Sequence, residues 1–459
     1  MRYKEYKKVD IPWLDEVPSH WEVKRIASIF DIRKEKNDPI KTEEVLSLSA
    51  KYGVTPYSEK KEKGGNKPKS DLTKYNLCYQ GDILVNCMNI VAGAVGISNY
   101  FGAVSPVYYP LVTNKYNNKY YMEYLFRNYD FQRGMVGLGK GIMMNESESG
   151  NLTTVRMRIS WDTLKTLEIP VPSKEEQEQM ARFLDWKINE IDGIIKSKNK
   201  MLNKIIFMKK SFITKMITKG YSNIDVMPDS INIVRLKNLC NKIIDGTHFT
   251  PEYQKDGIPF LRVTDISQLK YNEDIDLSKV KRISKEEHYI LTKRCNPKKG
   301  DVLISKNGSI GIPMIVNWDW DFSIFVSLCL LKLTNEVIPE WVYFYFLSSL
   351  VEIEIAKGGK KGTIVNLHLE KIKEFQIPLP SLEEQKEIVD IINKKIIKLD
   401  ELKSNIEKQI NNLQQLKQSL ISDVVTGKID VRNVSIPEYN KVIDMEDDIN
   451  LEESFNEEV

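Results

Sequence analysis

Ile169-Pro170-Val171-Pro172-Ser173-Lys174-Glu175-Glu176-Gln177 recurs as Ile377-Pro378-Leu379-Pro380-Ser381-Leu382-Glu383-Glu384-Gln385, identical at seven of nine positions and 208 residues further on. The same offset carries Thr218 onto Thr426, so the register persists through the segment that follows. A weaker echo lies upstream, where Gly81-Asp82-Ile83-Leu84-Val85 matches Gly300-Asp301-Val302-Leu303-Ile304 at an offset of 219. A chain built this way folds as two copies of one unit, each a variable globular part followed by a regular segment.

The regular segments read as long helices. Pro172-Ser173-x-x-Glu176 and Pro380-Ser381-x-x-Glu384 both have the form of a capping box, with proline blocking extension backwards. Behind them apolar residues step by four and three: Leu184, Ile188, Ile191, Ile195, Leu202, Ile205, Phe212 and Met216, then Ile392, Ile396, Leu399, Ile406, Ile410, Leu413, Leu420 and Val424. This is a heptad seam. Lys198 interrupts the first copy and Lys403 the second, while Lys209 and Lys417 interrupt both at the same place. A helix of about 40–45 residues spans roughly 60–65 Å, too long for one small domain, and its single stripe needs a partner. The other copy supplies one, which predicts an antiparallel coiled coil. Eight lysines over 196–219 follow the order that the helix dipole prefers, a stability feature rather than a DNA contact.

Charge is unevenly spread. Residues 438–459 hold nine acidic residues and one lysine, so the net +3 of the chain conceals +11 on residues 1–437. A basic body suits a polyanion, and the acidic end reads as a solvated, disordered tail. Five scattered cysteines point to reduced thiols, and the charged start of the chain has no signal-peptide core, so the expectation is a cytoplasmic protein.

The two globular parts mix short β-branched and aromatic runs with Gly/Asn/Asp turns, as mixed α/β (α+β) folds do. Residues 300–311 read as strand, tight turn, strand, with Lys306-Asn307-Gly308 at the tip, either a hairpin turn or a donor group for DNA. Aromatic helices at Tyr120–Tyr129 and Trp341–Leu350 have core spacing. The glycine-lysine loops after them, 137–141 and 357–363, suit phosphate but do not complete a nucleotide-binding loop. His20, His248, His288 and His368 show no metal spacing, and neither a nucleophile elbow nor a dinucleotide fingerprint occurs. A binder is favoured over a catalyst, with no metal and no cofactor in this chain.

Trp13-Leu14-x-x-Val17-Pro18-x-His20-Trp21 resembles the opening of type I restriction-modification specificity subunits. So do Asp245-Gly246-Thr247-His248-Phe249-Thr250-Pro251, Gly257-Ile258-Pro259-Phe260-Leu261-Arg262-Val263, Val425-Thr426-Gly427-Lys428-Ile429-Asp430 and both helix openings. The resemblance implies two target recognition domains, 1–170 and 223–378. It also implies two helices, 171–222 and 379–432, that act as a ruler with pseudo-twofold symmetry; the acidic tail, 433–459, runs beyond the ending usual in that family. Each domain would read one half of a bipartite, asymmetric double-stranded DNA site. Two modification subunits carrying S-adenosylmethionine would dock on the helices and methylate adenine. Two restriction subunits using ATP and Mg would complete the endonuclease. The second copy lacks a His20-Trp21 counterpart, having Met227-Pro228-Asp229 instead.

Loop residues expected to contact DNA are Lys51, Tyr52, Asn86, Asn89, Lys140 and Asn145 in the first domain. In the second they are Thr247, His248, Arg262, Lys306, Asn307, Lys360, Lys361 and Thr363. Arg262 has the donor pattern to fork a guanine O6 and N7. Two rival readings are a coiled-coil scaffold with protein-binding ends and a self-sufficient methyltransferase-nuclease.

Overall fold

Apolar periodicity this regular produces two unbroken helices, Lys174–Lys219 and Leu382–Val425. The computed structural model describes residues 2–60, 67–142, 156–220, 232–267, 269, 273–357 and 366–442. At the second helix the capping box forms as expected: Ser381 Oγ accepts from Glu384 N at 3.3 Å, and Glu384 Oε2 accepts from Ser381 N at 2.9 Å. At the first helix only half of it forms. Ser173 Oγ accepts from Glu176 N, but the Glu176 carboxylate turns away to Tyr3 Oη, His20 Nε2 and Trp21 Nε1 at 2.5, 2.9 and 3.1 Å. A buried phenol, a buried indole and the His20 imidazole together outweigh one exposed backbone N–H, so the expected reciprocal box does not form there.

The chain divides into two compact units, Met1–Lys198 with Glu407–Val459, and Asn199–Ile406. Each long helix is therefore shared, and each globular part owns half of each helix. The sequence divided the chain differently, at the ends of the helices. Packing explains the difference: each half-helix buries its stripe against the other helix and against the adjoining globular core. In the first unit Met180, Leu184, Ile188, Ile421, Val424 and Val425 join the domain core. In the second, Ile213, Met216, Ile217, Ile388, Val389 and Ile392 do the same.

The helix halves run antiparallel in both units, and the lysines that interrupt the seam show how. In the first unit Lys417 Nζ lies 2.7 and 2.8 Å from the Asp192 carboxylate, and Lys198 Nζ donates to Gln409 Oε1. In the second unit Lys209 Nζ lies 2.7 Å from Asp400 Oδ1. Asp192 and Asp400, like Lys209 and Lys417, are separated by the repeat offset of 208. The two ion pairs are one interaction made twice. All fourteen named seam positions, from Leu184 to Phe212 and from Ile392 to Leu420, are buried or half-buried.

Each unit contains a four-stranded antiparallel sheet of the same order. In the first, strands run Phe30–Ile32, Tyr108–Thr113, Ile83–Asn86, Val95–Ile97. In the second they run Cys240–Asp245, Leu328–Leu333, Val302–Ser305, Pro313–Ile315. The upstream sequence echo marks equivalent strands of the two sheets. Its Gly-Asp pair is turn chemistry: Gly81 and Gly300 have φ of 95° and 88°, and Asp82 and Asp301 accept from Tyr79 N and Lys298 N.

The Ile-Pro-x-Pro strands, Glu168–Val171 and Gln376–Leu379, pair antiparallel with Glu22–Arg25 and Asn232–Arg235. These are two-stranded ribbons, where proline is tolerated because the ladder does not continue past it. The duplicated glutamines close each unit. Gln177 and Gln385 are fully buried. Their Oε1 atoms accept from Asn118 N and Ile338 N, and their Nε2 atoms donate to the Pro172 and Pro380 carbonyls. Each amide thus caps the start of an aromatic helix, Lys119–Arg127 or Pro339–Leu347. Tyr121, Phe126, Trp341, Phe344 and Tyr345 on those helices are core, as their spacing predicts.

The chain end brings a correction. Residues 433–442, expected to be part of a solvated tail, lie on the first long helix. Gln179 Nε2 donates to the Val431 and Val434 carbonyls, and Asn189 holds Asn440 O and Val442 N at 2.9 and 2.6 Å. The C-terminal glycine motif is equally structural: Gly427 has φ 77°, and a Cβ there would overlap Pro18 and Trp21.

Candidate nucleic-acid interface

In the first unit Lys51 and Tyr52 form the tip of the hairpin Leu46–Ser49 and Gly53–Pro56. Lys51 Nζ sits 2.7 Å from Tyr52 Oη, and Tyr52 N donates to Ser49 Oγ. Asn86 is buried, its Oδ1 accepting from Met88 N, which is the geometry of a local turn. The Asn89 carbonyl accepts from Ala92 N and Ala94 N in the next turn. Lys140 begins the strand Lys140–Ile142, paired with Arg156–Arg158, so its backbone opposes Arg158. Asn145 lies outside the described residues.

The second unit gathers several expected contacts around Asp245. This carboxylate, 3% exposed, ends an edge strand of the sheet. Lys306 Nζ reaches Oδ2 at 2.7 Å, Arg294 Nη2 reaches Oδ1 at 2.7 Å, and His248 Nε2 lies 3.2 Å from Oδ2. Burial alone would raise the Asp245 pKa; the hydrogen bonds from Lys306 and Arg294 outweigh it and bring the group down to about 2. The neighbouring glycine is compulsory, because a Cβ on Gly246 would overlap the Ile324 carbonyl. Thr247, buried, continues the chain by bridging Phe325.

Two expectations change here. Lys306 is not displayed at a hairpin tip: it is 5% exposed, because a buried carboxylate needs a counter-charge. Asn307 forms a backbone bridge with Asn366, and its Oδ1 is buried without a hydrogen-bond partner among the described residues. His248 remains two-thirds exposed along its side chain. Arg262 is 30% exposed, its Nε and Nη2 donating to Asp265 at 3.2 and 3.1 Å. One edge of that guanidinium is occupied, and Nη1 makes no hydrogen bond among the described residues. Lys360, Lys361 and Thr363 lie outside the described residues.

Sequence reasoning missed Arg294. It stands just past the helix Lys285–Thr292, in no motif, and only the tertiary approach of Asp245 marks it. Burial raises the pKa of the Cys78, Cys240 and Cys295 thiols to about 12, 12 and 11. Among the described residues no group of three His, Cys, Asp or Glu side chains is arranged to hold a metal, and no helix is long and apolar enough to cross a membrane.

Comparison with known proteins agrees with the duplication. The MjaX type I restriction enzyme specificity subunit of Methanocaldococcus jannaschii is 27% identical, over 94% of this chain and 98% of that protein. The EcoBI specificity subunit of Escherichia coli is 26% identical over 61% of this chain and 62% of its own length. A solved chain from a type I restriction-modification system superposes with a TM-score of 0.65 at 15% identity, covering 90% of this chain and 99% of that one, which shows a common fold. The type I restriction-modification DNA specificity domain matches residues 18–204 and again 228–412, one match for each copy of the repeat, and the chain belongs to that family.

Proposed function

We propose that this chain is the DNA-reading subunit of a type I restriction-modification complex, and that it carries no catalytic site of its own. Each unit reads one half of a bipartite, asymmetric site in double-stranded DNA, and the paired helices fix the unread spacer. The observation that carries this reading is the duplication itself: one sheet order and one glutamine clamp recur on loops that differ in sequence. Two like frames with unlike loops suit two half-sites of different sequence.

Two modification subunits, each with S-adenosylmethionine, dock on the long helices and methylate adenine. Two restriction subunits with ATP and Mg complete the nuclease, and the assembly works in the cytoplasm. Exposed apolar side chains on the helices, including Ile194, Met201, Phe207, Ile397, Leu402 and Leu416, support protein docking there.

Adenine methylation mapped across a methylation-free genome tests the proposal, with this chain expressed beside its neighbouring modification subunit. A new bipartite motif that vanishes when this chain is omitted is expected. A folded, assembled complex that leaves no methylation favours the scaffold instead. In the same assay Arg262→Ala relaxes one base of one half-site, at a cost of about 1–3 kcal/mol. An unchanged motif and occupancy removes Arg262 as a reader.

A further inference from the structure

Arg294 and its surroundings form a cavity of about 320 Å³ in the second unit, walled by His248, Phe249, Ile290, Leu291 and Ser323. Its His248 and Phe249 belong to the Asp245–Pro251 motif, but Arg294 lies in no motif. Arg294, in the wall, belongs to a charged cluster that lies behind it. One carboxylate, Asp245, faces two permanent cations, Lys306 and Arg294, so the cluster keeps a surplus positive charge. Lys306 is the buried one and Arg294 the half-exposed one, which leaves the surplus on the cavity side. Among the described residues that line the cavity none is acidic.

The guanidinium is held in a fixed orientation. Nη1 donates to the carbonyl oxygens of Asp245 and Gly246, both at 2.9 Å, and Nη2 donates to Asp245 Oδ1 at 2.7 Å. A guanidinium has five N–H donors, so two remain, Nε–H and the second Nη2–H. Neither has a partner among the described residues, and on a planar guanidinium Nε–H lies on the same edge as one Nη2–H. Such an edge matches two oxygens of one phosphate. Ser323 Oγ, 2.9 Å from His288 Nδ1, and the exposed His248 add polar groups at the wall.

Shape decides between the two parts of DNA that an arginine edge can grip. A base edge is recessed in its groove and is reached by a protruding side chain, whereas a backbone phosphate projects from the duplex and enters a hollow. Phe249 and Ile290, each more than half exposed at the rim, offer apolar surface for the flanking deoxyribose.

We propose that this cavity seats one backbone phosphate of bound DNA, gripped by the free edge of Arg294. The inference rests on the DNA-reading function above and deepens it: the contact sets the register of the second unit on the duplex and reads no base. It also gives Asp245 and Lys306 a role as the mount of that arginine.

The test is binding of the full-length chain to several short duplexes of unrelated sequence, titrated between ~50 and ~200 mM salt, with melting followed in parallel. Arg294→Ala is expected to weaken binding about tenfold and to reduce the slope of log affinity against log salt by about 0.9. Arg294→Lys keeps the slope but loses affinity, because it retains charge without the fork. His248→Ala leaves the Asp245–Lys306 pair intact and gives a smaller loss, and it carries the test with Arg294→Lys should the alanine variant not fold. Equal affinity and slope for the wild type and all three variants overturns the proposal. So does a loss confined to one target sequence, which would make Arg294 a base reader. A wild-type chain that binds no duplex at any of these salt concentrations sinks the DNA-reading function itself.

Discussion

Asp245 shows how a residue that looks peripheral in sequence becomes an anchor. Its carboxyl sits at about 2, against ~3.9 for a free aspartate. Its folded pKa is depressed, so the stability it contributes is complete above ~pH 4 and is lost as pH falls through about 2. The amount is about 2–3 kcal/mol. Lys306→Met removes one of the two strong partners of a buried charge and is expected to cost about 3 kcal/mol at neutral pH. Its acid unfolding midpoint moves to higher pH than that of the wild type. Thermal melts between ~pH 2 and ~pH 5 check both, and an unchanged acid midpoint would show that Lys306 does not hold the carboxylate down. Asp245, Gly246 and Thr247 were legible as a motif. That Lys306 turns inward was not, because strand position alone does not reveal which carboxylate waits beneath it.

At the scale of elements, the long helices follow from local periodicity, and the pairing follows from its interruptions. Lys209 and Lys417 look like defects in a heptad seam until Asp400 and Asp192 are placed opposite them. Both pairs are partly exposed, so each contributes only ~0.2–1 kcal/mol. Their value lies in register: a helix slipped by one turn leaves two lysines facing an apolar seam. Lys417→Asp faces Asp192 with like charge and is expected to lower the melting temperature, and adding Asp192→Lys restores part of the loss. A double-mutant cycle at low salt measures this, with a coupling of about 0.5 kcal/mol expected. A coupling of zero would leave the apolar seam alone in charge of register. The capping box at Glu176 teaches a related lesson. Sequence can name the donors near a helix start, but a distant Tyr3, His20 and Trp21 can take the carboxylate away.

For the whole molecule, charge distribution matters more than net charge. Residues 443–459 carry eight acidic residues and no basic one, and they follow directly on the segment clamped by Asn189. Truncation after Val442 raises the net charge from +3 to +11. It is expected to strengthen non-specific duplex binding while leaving the melting temperature unchanged. Electrophoretic shifts of random duplex at low salt read the first and calorimetry the second. Unaltered affinity would mean that the acidic end does not act on the DNA-binding charge.

The sequence by itself determined the duplication, the two helices, their apolar seam and the core status of the aromatic helices. These are set by periodicity and by short-range chemistry, which a single chain displays openly. Tertiary structure alone decided which charges meet. It placed Lys306 under Asp245, gave Asp192 to Lys417, fixed Arg294 on Asp245 and laid residues 433–442 on a helix. The physical reason is that a side chain's role depends on its partner, and partners far apart in sequence meet only when the backbone has folded.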